Sequence, residues 1–369
     1  MGKLDCLMIE LSNNPLAVYY AGQKVTGYLI LDLTEKVQIK NIRILLKGKA
    51  YTHWTEHKEN TYTDEINDDT TLRDYAAEEC YVNQEVVVFG KPAGNSQDKL
   101  FLNSGRHKYS FSFTLPSDCP SSFEGEFYGY IRYFLKAIVS RPYKLGTATK
   151  KAFTVIGLHD LNGDPANYKP LEAHSGKSVG CLCCVSGQIS QDVVLPKRGF
   201  LPGESFDFTV AVYNRSRRKI KRVKATIIQH VIFHASQLCI WHTRESCQSL
   251  FQTCYDQVIS EGTSREVIFS NVRIPPVPPT LDSCGIIKIS YEIKVETSQS
   301  GPSLSLDTKL PIVVGIVPLR QMKMSSTSYE EAKFGTNSIR DEGGKEFIKG
   351  GLKFAPRYPC FSNATAQKY

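Results

Sequence analysis

The stretch Ile287-Lys-Ile-Ser-Tyr-Glu-Ile-Lys-Val-Glu296 decides the fold class, because apolar and polar residues alternate along it without a break. Successive side chains of a β-strand point to opposite faces of a sheet, so the pattern predicts a strand with one buried and one solvated face. Two further segments, 206–212 and 109–113, alternate in the same way. Only Leu72–Cys80 carries the 3.6-residue periodicity that predicts a short helix. The sequence therefore predicts an all-β fold of antiparallel sandwiches.

Length and composition agree with this fold class. The chain has 369 residues, of which 41% are hydrophobic and 22% charged, enough for two domains with their own cores. The longest apolar run, Leu310–Leu319, is about half of the ~20 residues that a membrane-spanning helix needs. Asp5 and Glu10 interrupt the apolar stretch that a signal peptide would require. We therefore expect a reducing compartment, in which most of the eleven cysteines are free thiols.

An internal repeat indicates that the sandwich is duplicated. The segment Ala21–Gly27 is similar to Pro202–Phe208, and a basic strand with spaced isoleucines follows each. Later, Phe113–Pro116 followed by Tyr130–Tyr133 is echoed at a shorter offset by 272–275 followed by 286–289. Three matched pairs are all 181 residues apart: Gly22 with Gly203, Ile39 with Ile220, and Ile42 with Val223. The sequence predicts two tandem sandwiches, residues 1–165 and 170–318, joined by a linker within 157–176.

The last part of the chain, residues 319–369, reads as a short flexible tail that is rich in Ser, Thr, Glu, Gly and Lys. Its end, 354–361, contains three aromatic residues and two prolines, which favour an extended segment that lies against the body. We expect Phe354, Tyr358 and Phe361 to form a clasp there. The intervening residues 325–351 lack such anchors and are expected to loop out.

Ordered motifs in both halves resemble those of the arrestin superfamily, and more closely its α-arrestin branch of arrestin-domain-containing proteins. The first half carries Tyr20-Ala-Gly-Gln23, His53-Trp54, Phe111-Ser-Phe-Thr-Leu-Pro116 and Gly129-Tyr-Ile-Arg-Tyr133. The second half carries Cys181-Leu-Cys-Cys184, Gly199-Phe-Leu-Pro-Gly-Glu204, Asn214-Arg-Ser216 and Ile274-Pro-Pro-Val-Pro-Pro-Thr280. The resemblance spans nearly all of residues 1–318 and implies two arrestin-like, immunoglobulin-like β-sandwiches.

The resemblance also implies a non-catalytic cytosolic adaptor, recruited to the plasma membrane and endosomes, that acts in endocytosis or sorting of membrane cargo. The implied partners are cytoplasmic segments of receptors or transporters and ubiquitin ligases that add ubiquitin to cargo; the formal net charge of +8 adds acidic phospholipids as a candidate partner. Family members recruit these ligases through PPxY motifs, from which this sequence departs. Its paired prolines, Pro275-Pro276 and Pro278-Pro279, are not followed by the tyrosine, and the tail offers only Pro356-Arg-Tyr358. No cofactor, metal or nucleic-acid partner is implied.

A dense basic run is the strongest candidate site. Residues 215–224 hold seven basic and no acidic side chains. Arginine forks bind phosphate in a bidentate manner, so the run fits phosphorylated receptor tails or phosphoinositide headgroups. The alternative is a solvated strand face with Ile220 and Val223 turned inward. The candidate residues are Arg215, Arg217, Arg218, Lys219, Lys221, Arg222 and Lys224.

Cysteine and histidine clusters leave several alternatives open. Cys181, Cys183 and Cys184 fit buried packing, lipidation or a metal site, and the set His230, His234, Cys239, His242, Cys247 and Cys254 fits structural roles or a metal ion. Templates for enzymes fail, since the chain has no HExxH, GxSxG or complete P-loop. Two rival functions remain beside the adaptor. One is a thiol-based redox regulator that binds thioredoxin, and the other is a retromer-like coat subunit.

Overall fold

The fold is known from a computed structural model, which is built almost wholly of β-strands with two short 3-10 helices and no α-helix among the residues it describes. The described residues are 4–57, 72–90, 100–125, 127–181, 184–300, 305–322, 324–332, 337–338, 347–349 and 353–363. Within this part of the chain, no helix is long and apolar enough to cross a membrane.

The described part of the first half contains eleven strands: β1 (Leu4–Leu11), β2 (Val18–Tyr20), β3 (Lys24–Leu33), β4 (Val37–Ile39), β5 (Asn41–His57), β6 (Leu72–Gly90), β7 (Leu100–Leu102), β8 (Gly105–Thr114), β9 (Phe123–Gly125), β10 (Gly129–Arg141) and β11 (Lys144–Ile156). They form two layers. One sheet has the order β1-β3-β8, and the facing sheet has the order β6-β5-β10-β11-β2, with β9 paired to β10. The short strands β4 and β7 form a separate pair.

The second half repeats this layering. One sheet has the order β12-β13-β15-β18, and the facing sheet has the order β14-β20-β19-β16 with β17 on the free side of β16. The strands are β12 (Leu171–Cys181), β13 (Cys184–Leu195), β14 (Gly199–Phe200), β15 (Ser205–Ser216), β16 (Ile220–Gln237), β17 (Ile240–Tyr255), β18 (Ser264–Arg273), β19 (Ile287–Gln299) and β20 (Leu306–Val314).

Alternating burial confirms the strand pattern that decided the fold class. Along β19, Ile287, Ile289, Tyr291, Ile293 and Val295 are all at most 2% exposed, while their neighbours face outward. The prediction of a helix over Leu72–Cys80 was wrong, because these residues form the start of β6. Backbone pairing with β5 runs along the whole segment and places Tyr75 opposite Trp54, so long-range hydrogen bonding overrides the local periodicity.

Equivalent backbone conformations and hydrogen bonds in the two halves confirm the duplication. Gly22 and Gly203 both have φ of +84°, a left-handed conformation that favours glycine, and they follow short strands that pair in parallel with the last long strand of their half. The hydroxyl of Tyr133 donates to the carbonyl of Pro120 at 2.8 Å, and that of Tyr291 donates to the carbonyl of Pro278 at 2.7 Å. Tyr133 therefore corresponds to Tyr291, two residues later than the sequence match to Ile289.

The segment between the halves is only partly irregular. Two 3-10 helices, Leu161–Gly163 and Pro165–Tyr168, occupy its middle, and β12 already begins at Leu171, inside the expected linker. We keep 1–165 and 170–318 as the proposed limits of the two domains.

The described residues of the tail form five short strands: β21 (Met324–Glu331), β22 (Asn337–Ser338), β23 (Phe347–Lys349), β24 (Lys353–Phe354) and β25 (Arg357–Asn363). The expectation that all of 325–351 loops out was wrong, because β21 pairs antiparallel with β25 and β23 pairs in parallel with β11. Backbone hydrogen bonds between strands hold β21 and β23 in place, and the side-chain composition of these segments does not predict such bonds.

The two equivalent tyrosines give a matched pair of stability tests. We expect Tyr133→Phe to lower the free energy of unfolding by about 1–2 kcal/mol, because the buried carbonyl of Pro120 loses its donor. Tyr291→Phe should cost more, since the side-chain amide of Gln229 also donates to this hydroxyl at 2.9 Å. Urea denaturation measures both. The fully exposed Tyr143 provides the control Tyr143→Phe, and equal midpoints for all three variants would contradict the assignment.

Candidate functional site: the junction of the two halves, the basic run and the tail

Aromatic packing holds the two halves together. The ring of Phe233 on β16 lies 6.4 Å from that of Phe123 and 5.7 Å from that of Tyr128 in the first half, measured between centroids. A Cβ at Gly125 would lie 2.8 Å from the Phe233 ring and one at Gly129 3.2 Å from it. The glycines therefore allow the backbone of the first half to approach this ring.

Polar contacts reinforce the same junction. The hydroxyl of Thr52 donates to the carbonyl of His234 at 2.7 Å, and the carboxylate of Glu79 accepts from the amide of Gly285 at 2.8 Å. Ser236 pairs with Ala76, which joins the large sheets of the two halves into one. Phe233 is thus fixed by contacts on both sides.

Exposed apolar side chains surround this junction, and sequence analysis did not single them out. Leu238 is 90% exposed on the β16–β17 hairpin, and Phe127 is 81% exposed in the turn before β10. Leu72 begins β6, four residues before the pairing with Ser236. Ile240 and Trp241 on the same hairpin are 62% and 61% exposed, and water solvates such apolar side chains poorly. We call the exposed apolar side chains of this hairpin, Leu238, Ile240 and Trp241, the junction patch.

The basic run lies on the turn between β15 and β16, at a distance along β16 from the junction. Ile220 and Val223 are completely buried, as the solvated-face interpretation expects. A hydrogen bond from the buried side of the turn fixes its backbone, because the side-chain amide of Asn214 donates to the carbonyl of Arg218 at 2.9 Å. The backbone of the turn is therefore preorganised.

The structure divides the seven basic residues into three groups. Arg222 pairs with Asp256 at 2.6 Å, and Lys224 pairs with Glu296 at 3.2 Å. Arg218 is half-buried. The remaining four are exposed, and no acidic side chain in the described part of the chain lies within ion-pair distance of them: Arg215, Arg217, Lys219 and Lys221. An anionic partner would meet chiefly these four charges.

The tail contacts both halves. Tyr358 on β25 is 1% exposed and packs against Ile156 at the end of β11 and Ile316 after β20. Its hydroxyl donates to the carbonyl of Ser122 at 2.7 Å. Phe361 packs against Leu201, and its amide donates to the carbonyl of Pro202 at 2.8 Å. Residues of the expected clasp therefore bridge the halves.

Phe354 and the buried tail thiol complete this segment. Phe354 is buried on β24, which pairs with β22. Burial raises the pKa of Tyr358 well above its usual range and raises that of Cys360 to about 12. The Cys360 thiol is thus protonated, and poorly nucleophilic, at neutral pH.

An ion pair lies beside the tail tyrosine. Glu124, whose side chain is fully buried, accepts two hydrogen bonds from the guanidinium of Arg132, at 2.5 and 2.7 Å. Glu124 and Tyr358 line a narrow pocket together with Gln229, Gln248 and Pro278 of the second half.

Pro278 and Pro279 are buried, so these paired prolines do not offer an accessible ligand to a WW domain.

The cysteine and histidine clusters singled out from the sequence can be compared with the structure where their side chains are described. The side chains of Cys181 and Cys184 and the whole of Cys183 lie outside the described residues. The eight cysteines whose side chains are described are free thiols. Among the described residues, no group of three His, Cys, Asp or Glu side chains has an arrangement that could hold a metal ion. His234 is 3.1 Å from the hydroxyl of Thr243.

Comparisons with known proteins cover both halves. The family model "Arrestin (or S-antigen), N-terminal domain" matches residues 7–162, and "Arrestin (or S-antigen), C-terminal domain" matches residues 185–319. Arrestin domain-containing protein 17 of Caenorhabditis elegans is 30% identical over 96% of this chain and 79% of its own length. Human thioredoxin-interacting protein is 26% identical over 89% of this chain and 80% of its own length. Human arrestin domain-containing protein 4 is 26% identical over 86% of this chain and 72% of its own length.

Truncating the tail tyrosine tests the clasp. We expect Tyr358→Ala to destabilise the protein by about 3–5 kcal/mol, because a buried aromatic ring is replaced by a cavity between the halves. Thermal unfolding measures this loss, and hydrogen exchange should show faster exchange of the amides of β25. Tyr143→Ala, the same change at an exposed position, serves as control. A tail that merely rests on the surface would leave Tyr358→Ala as stable as this control.

Proposed function

Since the chain belongs to the arrestin family and its α-arrestin branch, we propose that it is an adaptor that binds cytoplasmic segments of membrane receptors or transporters and directs their endocytosis or sorting. Arrestin-family proteins are generally non-catalytic adaptors. In this proposal the chain works in the cytoplasm and is recruited to the plasma membrane and endosomes. Ubiquitination of cargo would require a ligase bound by a means other than PPxY.

The junction patch is the observation that carries the proposal. Leu238, Ile240 and Trp241 project from one hairpin at a place where both halves meet. Aromatic and aliphatic anchors of this kind supply most of the binding free energy in protein interfaces when a partner buries them. An extended cytoplasmic segment of a membrane protein can cover such a patch without a deep pocket.

The basic run supplies the second, electrostatic half of the proposal. Its four unpaired charges surround a preorganised turn, and cytoplasmic leaflets and phosphorylated tails are both anionic. Contacts of this kind contribute about 1 kcal/mol per basic residue near an anionic leaflet and weaken as salt rises. They would recruit the adaptor to membranes before cargo engages the patch.

Proximity labelling of the full chain in cells tests the adaptor role. We expect receptors or transporters to be enriched, and the triple variant Leu238→Ser, Ile240→Ser, Trp241→Ser to lose this enrichment about tenfold, as removal of interface anchors does. The matched control replaces three exposed apolar residues elsewhere, Tyr143, Leu145 and Val258. Labelling without membrane cargo, or equal loss in both variants, would reject the proposal; a stable stoichiometric complex would favour the coat subunit instead.

Charge reversal tests the basic run. We expect Arg215→Glu, Arg217→Glu, Lys219→Glu and Lys221→Glu together to abolish most binding to anionic liposomes, measured by sedimentation across a salt titration. A control set reverses four exposed lysines elsewhere, Lys24, Lys40, Lys169 and Lys288, so that both variants lower the formal net charge from +8 to 0. If both sets weaken binding equally, net charge and not this site is responsible.

A second candidate function is a thiol-linked regulator, favoured by the similarity to thioredoxin-interacting protein. Cys80, Cys239 and Cys247 are exposed thiols. Recovery of a mixed disulfide with thioredoxin in a thiol-trapping pulldown would support it.

A further inference from the structure

A cysteine, a histidine and a glutamate form a row across three neighbouring strands on the outer face of the second half. Cys247 on β17 pairs directly with His230 on β16. The sulfur of Cys247 is 3.1 Å from Nδ1 of His230. On the far side, Nε2 of His230 is 3.2 Å from the carboxylate of Glu292 on β19. These contacts were not foreseen from the sequence, which placed His230 and Cys247 only in a loose set of metal candidates.

The carboxylate decides which imidazole nitrogen faces the thiol as an acceptor. The negative charge of Glu292, whose side chain is only 15% exposed, favours a proton on Nε2 at this distance, although the two atoms are not aligned as a hydrogen bond. Nδ1 is then free to accept the thiol proton. Lys309 also lies 3.6 Å from the carboxylate of Glu292 and attracts it from the solvent side. The row therefore has the order nucleophile, base and orienting acid that activates thiols.

Neighbouring side chains shield the imidazole while leaving the thiol open. Ile228 and Ile232, two residues to either side of His230 on β16, lie on the same face and are half-buried. Cys247 is exposed, because β17 lies at the free edge of its sheet. Proton transfer between sulfur and nitrogen is thus partly screened from water, and an electrophile can reach the sulfur.

We infer that Cys247 is an oxidisable thiol that reacts with hydroperoxides, with His230 as its base and Glu292 as the residue that positions the imidazole. The inference does not depend on the adaptor role, because it uses no residue of the junction patch or the basic run. It assigns a modification site to a face that the proposed function leaves unused.

The reaction balances with the peroxide alone. The thiol proton passes to Nδ1 of His230, and the sulfur attacks one oxygen of the peroxide. An S–O bond forms as the O–O bond breaks, and the leaving group, hydroxide from hydrogen peroxide or alkoxide from an organic hydroperoxide, takes the proton from His230 to become water or an alcohol. Sulfur is oxidised to the sulfenic acid while the hydroperoxide is reduced.

The other cysteines provide internal references. Cys239 is exposed in the hairpin turn of the same sheet, and no described histidine lies within hydrogen-bond distance of its sulfur. Cys119 and Cys360 are buried. A contrast between Cys247 and Cys239 therefore isolates the effect of His230 from simple exposure, without any mutation.

The experiment treats the reduced full chain with hydrogen peroxide in the presence of dimedone, which traps sulfenic acid, and separately with iodoacetamide. Tandem mass spectrometry follows each cysteine with time. At pH 7 we expect Cys247 to react about tenfold faster than Cys239 with both reagents, because an unactivated thiol is only a few per cent thiolate at this pH. Cys119 and Cys360 should react more slowly than either.

Variants separate the base from the orienting residue. His230→Gln should reduce the Cys247 rate to that of Cys239 and leave the Cys239 rate unchanged. Glu292→Gln should give a smaller loss, and Glu292→Asp, which keeps the carboxylate, should restore part of it; a merely structural role would not distinguish these two. Equal rates for Cys247 and Cys239 in the unmodified protein would overturn the inference. Fast alkylation without a dimedone adduct would overturn its peroxide step.

Discussion

The packing of Phe233 against Phe123 and Tyr128 is the contact on which the arrangement of the functional surfaces depends. Each half has its own pair of sheets, but this contact fixes where one half lies against the other. Both positions favour glycine, because a Cβ at residue 125 would lie 2.8 Å from the Phe233 ring and one at residue 129 would lie 2.6 Å from the carbonyl of Tyr51. From this position follow the pairing of Ser236 with Ala76, the projection of the β16–β17 hairpin and the pocket that receives the tail.

The tail depends on that arrangement in turn. Tyr358 needs the carbonyl of Ser122 from the first half and the apolar side chain of Ile316 beyond the second, so its binding site exists only when both halves are in place. Pairing of β21 with β25 gives the tail an internal ladder, while Phe361 holds it to the second half. The binding of the tail therefore depends on how the two halves lie against each other. The position of the junction patch depends on the same arrangement.

Charge is distributed unevenly over the second half. Along β16, Arg222 and Lys224 are neutralised by acidic partners, while the turn that precedes them keeps its charges exposed. Farther along the same strand, His230 lies between Cys247 and Glu292. One strand thus contributes to a basic turn, a row of ionisable groups and the apolar hairpin at the junction. Period-two alternation makes this possible, because the inward residues of β16 build the core and leave the outward ones to vary.

The sequence by itself determined the all-β class, the duplication and the exposure of the basic run. Local alternation of apolar and polar residues predicts the strands and their exposed faces, and the constant spacing of 181 residues between matched positions predicts the duplication. The sequence also singled out Phe354, Tyr358 and Phe361 as unusual residues for a tail. Tertiary structure alone decided that Leu72–Cys80 is a strand, that β21 joins β25, that the exposed hairpin with Leu238 lies where the two halves meet, and that Cys247, His230 and Glu292 form a row. The physical reason is that strand pairing joins residues far apart in the chain, and its hydrogen bonds override local propensity without leaving a local signal.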